Sequence, residues 1–296
     1  MKLLLWNLQD FFVFLDKLED TQDPLELDEP HWQIASSSFK PNKLKKHLNA
    51  MAEFIELHRP DICLFTEVGG SESIHNFNHY FLKNTYKVSH FASNSDRGID
   101  LAILYKKDLD ITGDRFHNDK AFARGVHELR FNFNSTPICV LLTHLKSKLD
   151  KEKKDFEGRS KRAREVATLL KIAEKRESQG NKVIITGDLN GVIYEDETEP
   201  ELALFAKNLG LIDVLEHLKR PFFERATYLY YNRKSEIIPM QLDYVLMDSE
   251  LAKKLDDQMT GVFDFDGKPR ESFPRNLEEK KMQPSDHYPI IVKLNS

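Results

Sequence analysis

Short apolar runs, each ended by a polar residue, recur along this chain near 2–7, 61–66, 99–105, 127–133, 138–144, 182–187, 242–247 and 288–294. They are too short for helices and either alternate or run apolar as strands do. Between some of them the spacing becomes helical. Leu44, Leu48, Met51 and Ile55 follow Pro41-Asn42, and Ala163, Val166, Leu169, Leu170 and Ala173 precede Gly180. Each such helix leads into an apolar strand, and strands interleaved with helices indicate a layered α/β architecture. No Pro/Gly/Ser linker divides the chain and no short-period repeat appears, so a single domain over residues 1–296 is expected. Residues 8–41, 145–160, 190–200 and 258–285 read as long loops, which in a compact domain usually carry function.

Charge narrows the partners. The formal net charge of -5 argues against a chain-wide grip on nucleic acid, so a polyanion must meet a local basic patch or a bound cation. No apolar run approaches the roughly 18 to 20 residues of a membrane span, and Asn7 and Asp10 interrupt the apolar start. A secretory signal and stable membrane association are not expected. Cys63 and Cys139 both sit in apolar strand-like runs, which favours buried free thiols over a disulfide framework or metal site and fits a reducing, cytoplasmic compartment.

The strand ends carry the chemistry. Val183-Ile184-Ile185-Thr186-Gly187 delivers Asp188 and Asn190, which share one side of a strand end while Leu189 points back into protein. Taken alone, these residues are read equally well as a strand followed by a turn. Four further strand ends repeat the pattern, with Asn7 after Leu5-Trp6, Glu67 before Gly69-Gly70, His144 after Thr143, and Asp286-His287 before the final strand. Turn propensity alone does not account for five such ends, because ligand crevices in open α/β sheets lie at strand termini.

The ordered motifs Leu5-Trp6-Asn7-Leu8-Gln9, Arg59-Pro60-Asp61 through Thr66-Glu67-Val68, Arg97-Gly98-Ile99-Asp100, Thr143-His144-Leu145-Lys146-Ser147, Gly187-Asp188-Leu189-Asn190, Leu242-Asp243-Tyr244-Val245 and Ser285-Asp286-His287 span nearly the whole chain. In order and spacing the chain resembles the endonuclease/exonuclease/phosphatase superfamily, typified by deoxyribonuclease I and the abasic-site endonucleases. His144 and Gln9 place it nearer the histidine-containing deoxyribonuclease branch. The resemblance implies a four-layered α/β sandwich, two packed mixed β-sheets flanked by helices.

It also implies a set of roles. Glu67 resembles the principal ligand of a hard divalent cation, Mg²⁺ or Mn²⁺, with Asn7 supporting the metal or a phosphate oxygen and Asp286 near the metal. Asp188 and Asn190 match the pair that positions water and phosphate. His287 contacts the phosphate or transfers a proton, with Asp243 accepting its other ring proton. His144 resembles a second catalytic histidine, with Asp100 as its orienting acid. Arg124 stands where some relatives hold a phosphate-contacting arginine, although a surface arginine at a strand edge is the commoner occurrence.

The densest basic run, Lys146, Lys148, Lys151, Lys153, Lys154, Arg159, Lys161, Arg162 and Arg164, is interrupted by Asp150, Glu152, Asp155 and Glu157. It reads either as a phosphate-binding tract or as a solvated loop and helix start. Phe11, Phe12 and Phe14 fit core packing better than base stacking or lipid insertion. The expected function is metal-dependent phosphodiester hydrolysis of nucleic acid, DNA above all, as an endonuclease with both histidines active. No protein partner is implied. Hydrolysis of inositol phosphates, phospholipids or another small phosphate ester is the alternative, and a non-catalytic nucleic-acid-binding protein is a third class, whose mark would be lost ligands.

Overall fold

Alternate residues of β1 (Lys2–Phe11) face opposite ways, Leu3 and Leu5 into one apolar cluster and Leu4, Trp6 and Leu8 into another. A strand buried on both faces belongs in the middle of a sheet with a layer on each side. The computed structural model describes residues 1–19, 22–93, 95–148, 155–193, 198–232, 234 and 236–296. Its further strands are β2 (Ile62–Val68), β3 (Tyr86–Phe91), β4 (Asp100–Lys106), β5 (Ile111–His117), β6 (Val126–Phe133), β7 (Thr136–His144), β8 (Lys182–Asp188), β9 (Ile212–Asp213), β10 (Tyr228–Tyr231), β11 (Ile237–Met240), β12 (Asp243–Met247), β13 (Gly261–Val262) and β14 (Ile290–Lys293). They form two mixed six-stranded sheets, ordered β13-β14-β1-β2-β4-β3 and β5-β6-β7-β8-β12-β9, with β10 and β11 as a separate hairpin.

The sheets pack face to face through one shared cluster. Leu3, Leu5, Ile62, Leu64, Leu101 and Ile103 come from the first sheet, and Leu129, Phe131, Val140, Leu142, Ile184 and Val245 from the second. The helices are α1 (Glu29–Ile34), α2 (Lys45–His58), α3 (Gly70–Asn76), α4 (Arg159–Ser178), α5 (Ala203–Leu209), α6 (Val214–His217), α7 (Phe222–Arg225), α8 (Ser249–Ala252) and α9 (Leu277–Lys281). Leu48, Met51, Phe54 and Ile55 of α2 cover the outer face of the first sheet. Val166, Leu169, Leu170 and Ala173 of α4 cover Cys139, Leu141, Val183 and Ile185 of the second. Each large apolar side chain so buried stabilises the fold by about 1.5–3 kcal/mol. The result is the four-layered sandwich.

Sequence periodicity located the central strands and both long helices to within a few residues. It did not show β3 and β5, edge strands whose exposed residues interrupt the apolar alternation. The expected loop 8–41 holds structure too. β1 continues to Phe11, and α1 starts at an Asp28 cap whose Oδ1 accepts the His31 N–H at 3.0 Å. Both cysteines are buried free thiols.

Two parallel pairs fix where the polar strand ends go. β1 lies parallel to β2 with Asn7 opposite Thr66, and β7 lies parallel to β8 with His144 opposite Asp188. Parallel neighbours end at the same edge, so each sheet presents its polar termini together. Gly187 permits the second pairing. Its φ is +137°, and an added Cβ would lie 1.7 Å from the Thr143 carbonyl oxygen.

Candidate active site

The strand ends of the two sheets meet, and the bonds that join them are polar. Asn7 of β1 donates from Nδ2 to Asp188 Oδ2 of β8 at 3.0 Å. His287, just before β14, approaches Asp243 Oδ2 of β12 through Nδ1 at 2.7 Å. Both contacts run from one sheet to the other. Ser285 Oγ donates to the Asn7 carbonyl at 2.7 Å, and Trp6 Nε1 donates to the His287 carbonyl at 3.0 Å, so the last loop is tied to the first strand.

Burial and charge set the protonation states. Burial followed by the adjacent Asp243 pushes the Asp188 carboxyl up to about 7. At His287 burial opposes the charged ring but is outweighed by Asp243, Asp286 and Asp188, which raise it to about 10. His287 is therefore an imidazolium at neutral pH, and its Nδ1 proton is committed to Asp243. His144 behaves oppositely. Burial first, then Arg124 and His287, hold it well below the ordinary value, and its Nε2 lies 3.4 Å from Asp188 Oδ2.

Asp188 is the hub of this cluster. Its Oδ1 accepts the Asn190 N–H at 2.9 Å, while Asn190 Nδ2 donates to the Leu145 carbonyl at 3.1 Å. Glu67 stands on the rim, its Oε2 accepting the Asp10 N–H at 3.0 Å and lying 3.4 Å from Arg97. Gln9, Asp10, Glu67 and Asn190 all adopt left-handed backbone conformations, with φ of 50°, 45°, 62° and 51°. Such conformations cost non-glycine residues roughly 1–3 kcal/mol each and cluster where function holds them.

The structure thus brings Asn7, His144, Asp188, Asn190, Asp243 and His287 together. Asp100 goes elsewhere, which corrects the expectation that it orients His144. It pairs with His90 at 2.9 Å and accepts the Ser93 N–H, because β3 rather than β7 lies beside β4. Arg124 is buried rather than on the surface, donating to the Leu145 carbonyl at 3.2 Å, and its Nε has no partner among the described residues. The Lys146 ammonium donates to the Ser147 carbonyl.

The basic run divides: Arg159 and Arg164 are exposed, whereas one member is internal. Arg162 is fully buried against Glu199 and Glu201, and Lys148 pairs with Glu199 at 2.7 Å. Lys151, Lys153 and Lys154 lie outside the described residues. Phe11 and Phe12 are buried in the core and Phe14 is half-buried.

Two residues gave no sequence signal. Lys43, in the stretch before α2, donates to the Leu8 and Gln9 carbonyls at 2.8 and 2.9 Å and holds the left-handed bend near the end of β1. Tyr228 places its ring 4.9 Å from the His287 ring. Neither belongs to an apolar pattern that ends at the site.

A family model described as the Endonuclease/Exonuclease/phosphatase family matches residues 10–296. The chain belongs to the endonuclease/exonuclease/phosphatase family. Members of this family are phosphoric ester hydrolases. Among solved structures, truncated Caenorhabditis elegans TDP2 is similar at 17% identity and a TM-score of 0.63, covering 100% of this chain and 97% of that one. A Danio rerio TDP2 complexed with a single-strand DNA product is similar at 15% identity and a TM-score of 0.59, covering 100% and 99%. The human Nocturnin catalytic domain with bound sulfate gives 15% and 0.59, covering 99% and 92%. At these identities the likenesses establish the fold. A search of curated protein sequences gives no match.

This endonuclease/exonuclease/phosphatase site fits a metal. Asp188, Asp243 and His287 offer ligand atoms within 4.8 Å of one another; with the charged His287 committed to Asp243, the two carboxylates are left to meet a cation, and Asp243 Oδ1 is buried without a hydrogen-bond partner among the described residues. Asp243 lies so close to Asp188 that it raises the cost of charging that carboxyl, which a cation relieves. No described helix of this family member is long and apolar enough to cross a membrane.

Proposed function

We propose that this chain is a divalent-metal-dependent phosphodiesterase that hydrolyses nucleic acid, DNA in particular, as an endonuclease in the cytoplasm, and that its 296 residues act as one domain. The observation that carries the reading is the meeting of both sheets' polar strand ends, where Asn7 and the Asn190 N–H fix Asp188 and Asp243 fixes a charged His287. A fixed carboxylate base and a fixed cationic donor are what in-line attack of water on a phosphate needs. Glu67, Asp286 and Asn7 would hold Mg²⁺ or Mn²⁺, which offsets phosphate charge as a Lewis acid and template.

The protein's own groups divide the remaining work. Asp188, fixed by Asn7 and by the Asn190 N–H, accepts a proton from the attacking water. The new P–O bond forms, the bond to the leaving oxygen breaks, and that oxygen takes a proton from solvent. The His287 imidazolium, oriented by Asp243, donates to a phosphoryl oxygen as charge grows there. His144 is neutral and turns its Nε2–H towards Asp188, so it positions that carboxylate and is not an acid at neutral pH. Asn190 holds the loop that bears it against Leu145, and Arg124 lines the same turn. Support for nucleic acid as the substrate comes from the single-strand DNA product bound by a structural relative.

Supercoiled plasmid, single-stranded DNA, RNA, a phosphoinositide and sphingomyelin, each assayed with Mg²⁺ and with Mn²⁺, test the reading. Cleavage of DNA is expected, and turnover should fall by about 10²–10⁴-fold in His287→Ala and His144→Ala. Hydrolysis of only the lipids, or near-normal cleavage by both variants, would overturn it.

A further inference from the structure

Beside the cluster lies a pocket of about 300 Å³ lined by Gln9, whose N–H donates to Asn7 Oδ1, and by Asp286, which precedes His287. Its other polar walls are His47 of α2, Lys280 and Lys281 of α9, and Gln283. Asp286 is the one acid in this lining, against two lysines, so the pocket is cationic on a chain of net negative charge. Lys280 is preset rather than floppy. Its Nζ donates to the Leu229 carbonyl at 2.6 Å and sits 4.0 Å from the centre of the Tyr228 ring, and that ring in turn packs on His287.

Other polar groups of the lining keep free capacity. Gln9 Oε1 accepts the Asp286 N–H at 3.0 Å, which leaves the Gln9 NH₂ without a partner among the described residues. His47 Nε2 is buried with no hydrogen-bond partner among the described residues. Lys281 holds only an exposed 3.3 Å contact with Glu278. Burial above all, with a smaller push from Lys43 and Lys46, holds His47 down to about 4, so it is neutral at pH 7.

We propose that this pocket is a second phosphate subsite, which grips on Lys280 and Lys281 a phosphate of the substrate other than the one being hydrolysed. It rests on the phosphodiesterase reading of the adjoining site. Two ammonium groups and an amide NH₂ suit an anion with several acceptor oxygens. Continuity through Gln9 and Asp286 places it within reach of the same substrate molecule. A neighbouring phosphate on a nucleic-acid strand and a ring phosphate on an inositol ester share this chemistry.

Inorganic phosphate titrated into metal-free protein by calorimetry tests the subsite without turnover. We expect saturable binding that weakens roughly ten-fold or more in the Lys280→Gln, Lys281→Gln double variant, as loss of charge-assisted hydrogen bonds predicts. No saturable binding by the parent, or equal binding by both, would overturn the proposal. If Lys280→Gln impairs folding, the exposed Lys281→Gln alone carries the same comparison.

With Mg²⁺ or Mn²⁺ present, thymidine dinucleotide and an inositol phosphodiester are then compared, each with and without one extra phosphate. The extra phosphate should lower KM in the parent and not in the variant, with kcat little changed. An equal KM benefit in both would refute the subsite. Turnover of the inositol ester and not the dinucleotide would refute nucleic acid as the substrate while leaving the phosphate isotherm to decide the subsite.

Discussion

Asp243→Asn isolates the pair on which the protonation of the site depends. The change keeps shape and an oxygen within reach of His287 Nδ1, 2.7 Å away in the parent, but removes the charge that keeps the ring protonated. Moving His287 from 6.5 to about 10 corresponds to an upper bound on the order of 5 kcal/mol. Breaking a buried pair by deleting one partner costs about 3–5 kcal/mol, and the retained amide oxygen should reduce this to roughly 2–3 kcal/mol. In a chain of this size that is a fall in Tm of about 5 °C. The pH dependence has a definite sign. A raised histidine contributes stability that is fully present below its unfolded value of 6.5 and is lost as pH rises through about 10. The Tm gap between parent and variant should therefore be widest at pH 6 and close towards pH 10. NMR titration of the His287 ring in metal-free protein should show it charged to near pH 10 in the parent and titrating several units lower in the variant. An unchanged ring titration, or a Tm gap that widens with pH, would refute the assignment of Asp243 as its counter-ion.

Glu67→Gln should weaken Mn²⁺ binding by at least about ten-fold in calorimetry while leaving Tm nearly unchanged, since its carboxylate is held only at the rim. Gly187→Ala must place a Cβ against the Thr143 carbonyl at a φ of +137°, so a loss of about 3 kcal/mol or more is expected in urea unfolding. Arg162→Ala leaves Glu199 and Glu201 buried without their shared cation, and stability should fall by roughly 3–5 kcal/mol at pH 7, recovering in part as the acids are protonated at lower pH.

The sequence disclosed the site through one physical regularity. A buried strand must stop where its backbone reaches solvent, so Asn7, Glu67, His144 and Asp188 are visible as polar residues at the ends of apolar runs, and His287 as one just before the last run. Lateral neighbours leave no such trace. Asp100 lies at a strand start, and only strand order decides that it faces His90 and not His144. Arg162 belongs by composition to a basic tract, yet it is buried because Glu199 and Glu201, nearly forty positions on, come to meet it. Lys43 and Tyr228 act through contacts that cross the fold, and neither apolar periodicity nor a local motif encodes such contacts.

The two hydrogen bonds that run between the sheets make competence all-or-none. Asn7 and Asp188, and likewise His287 and Asp243, reside on different sheets, so neither sheet alone possesses a base with its anchor or a histidine with its counter-ion. A chain cut near its middle would part Asn7 from Asp188 and β14 from its partner β1, so each half would be inert. Mixing such halves should restore hydrolysis only to the extent that the sandwich closes, and catalysis then becomes a direct gauge of how firmly the layers are docked.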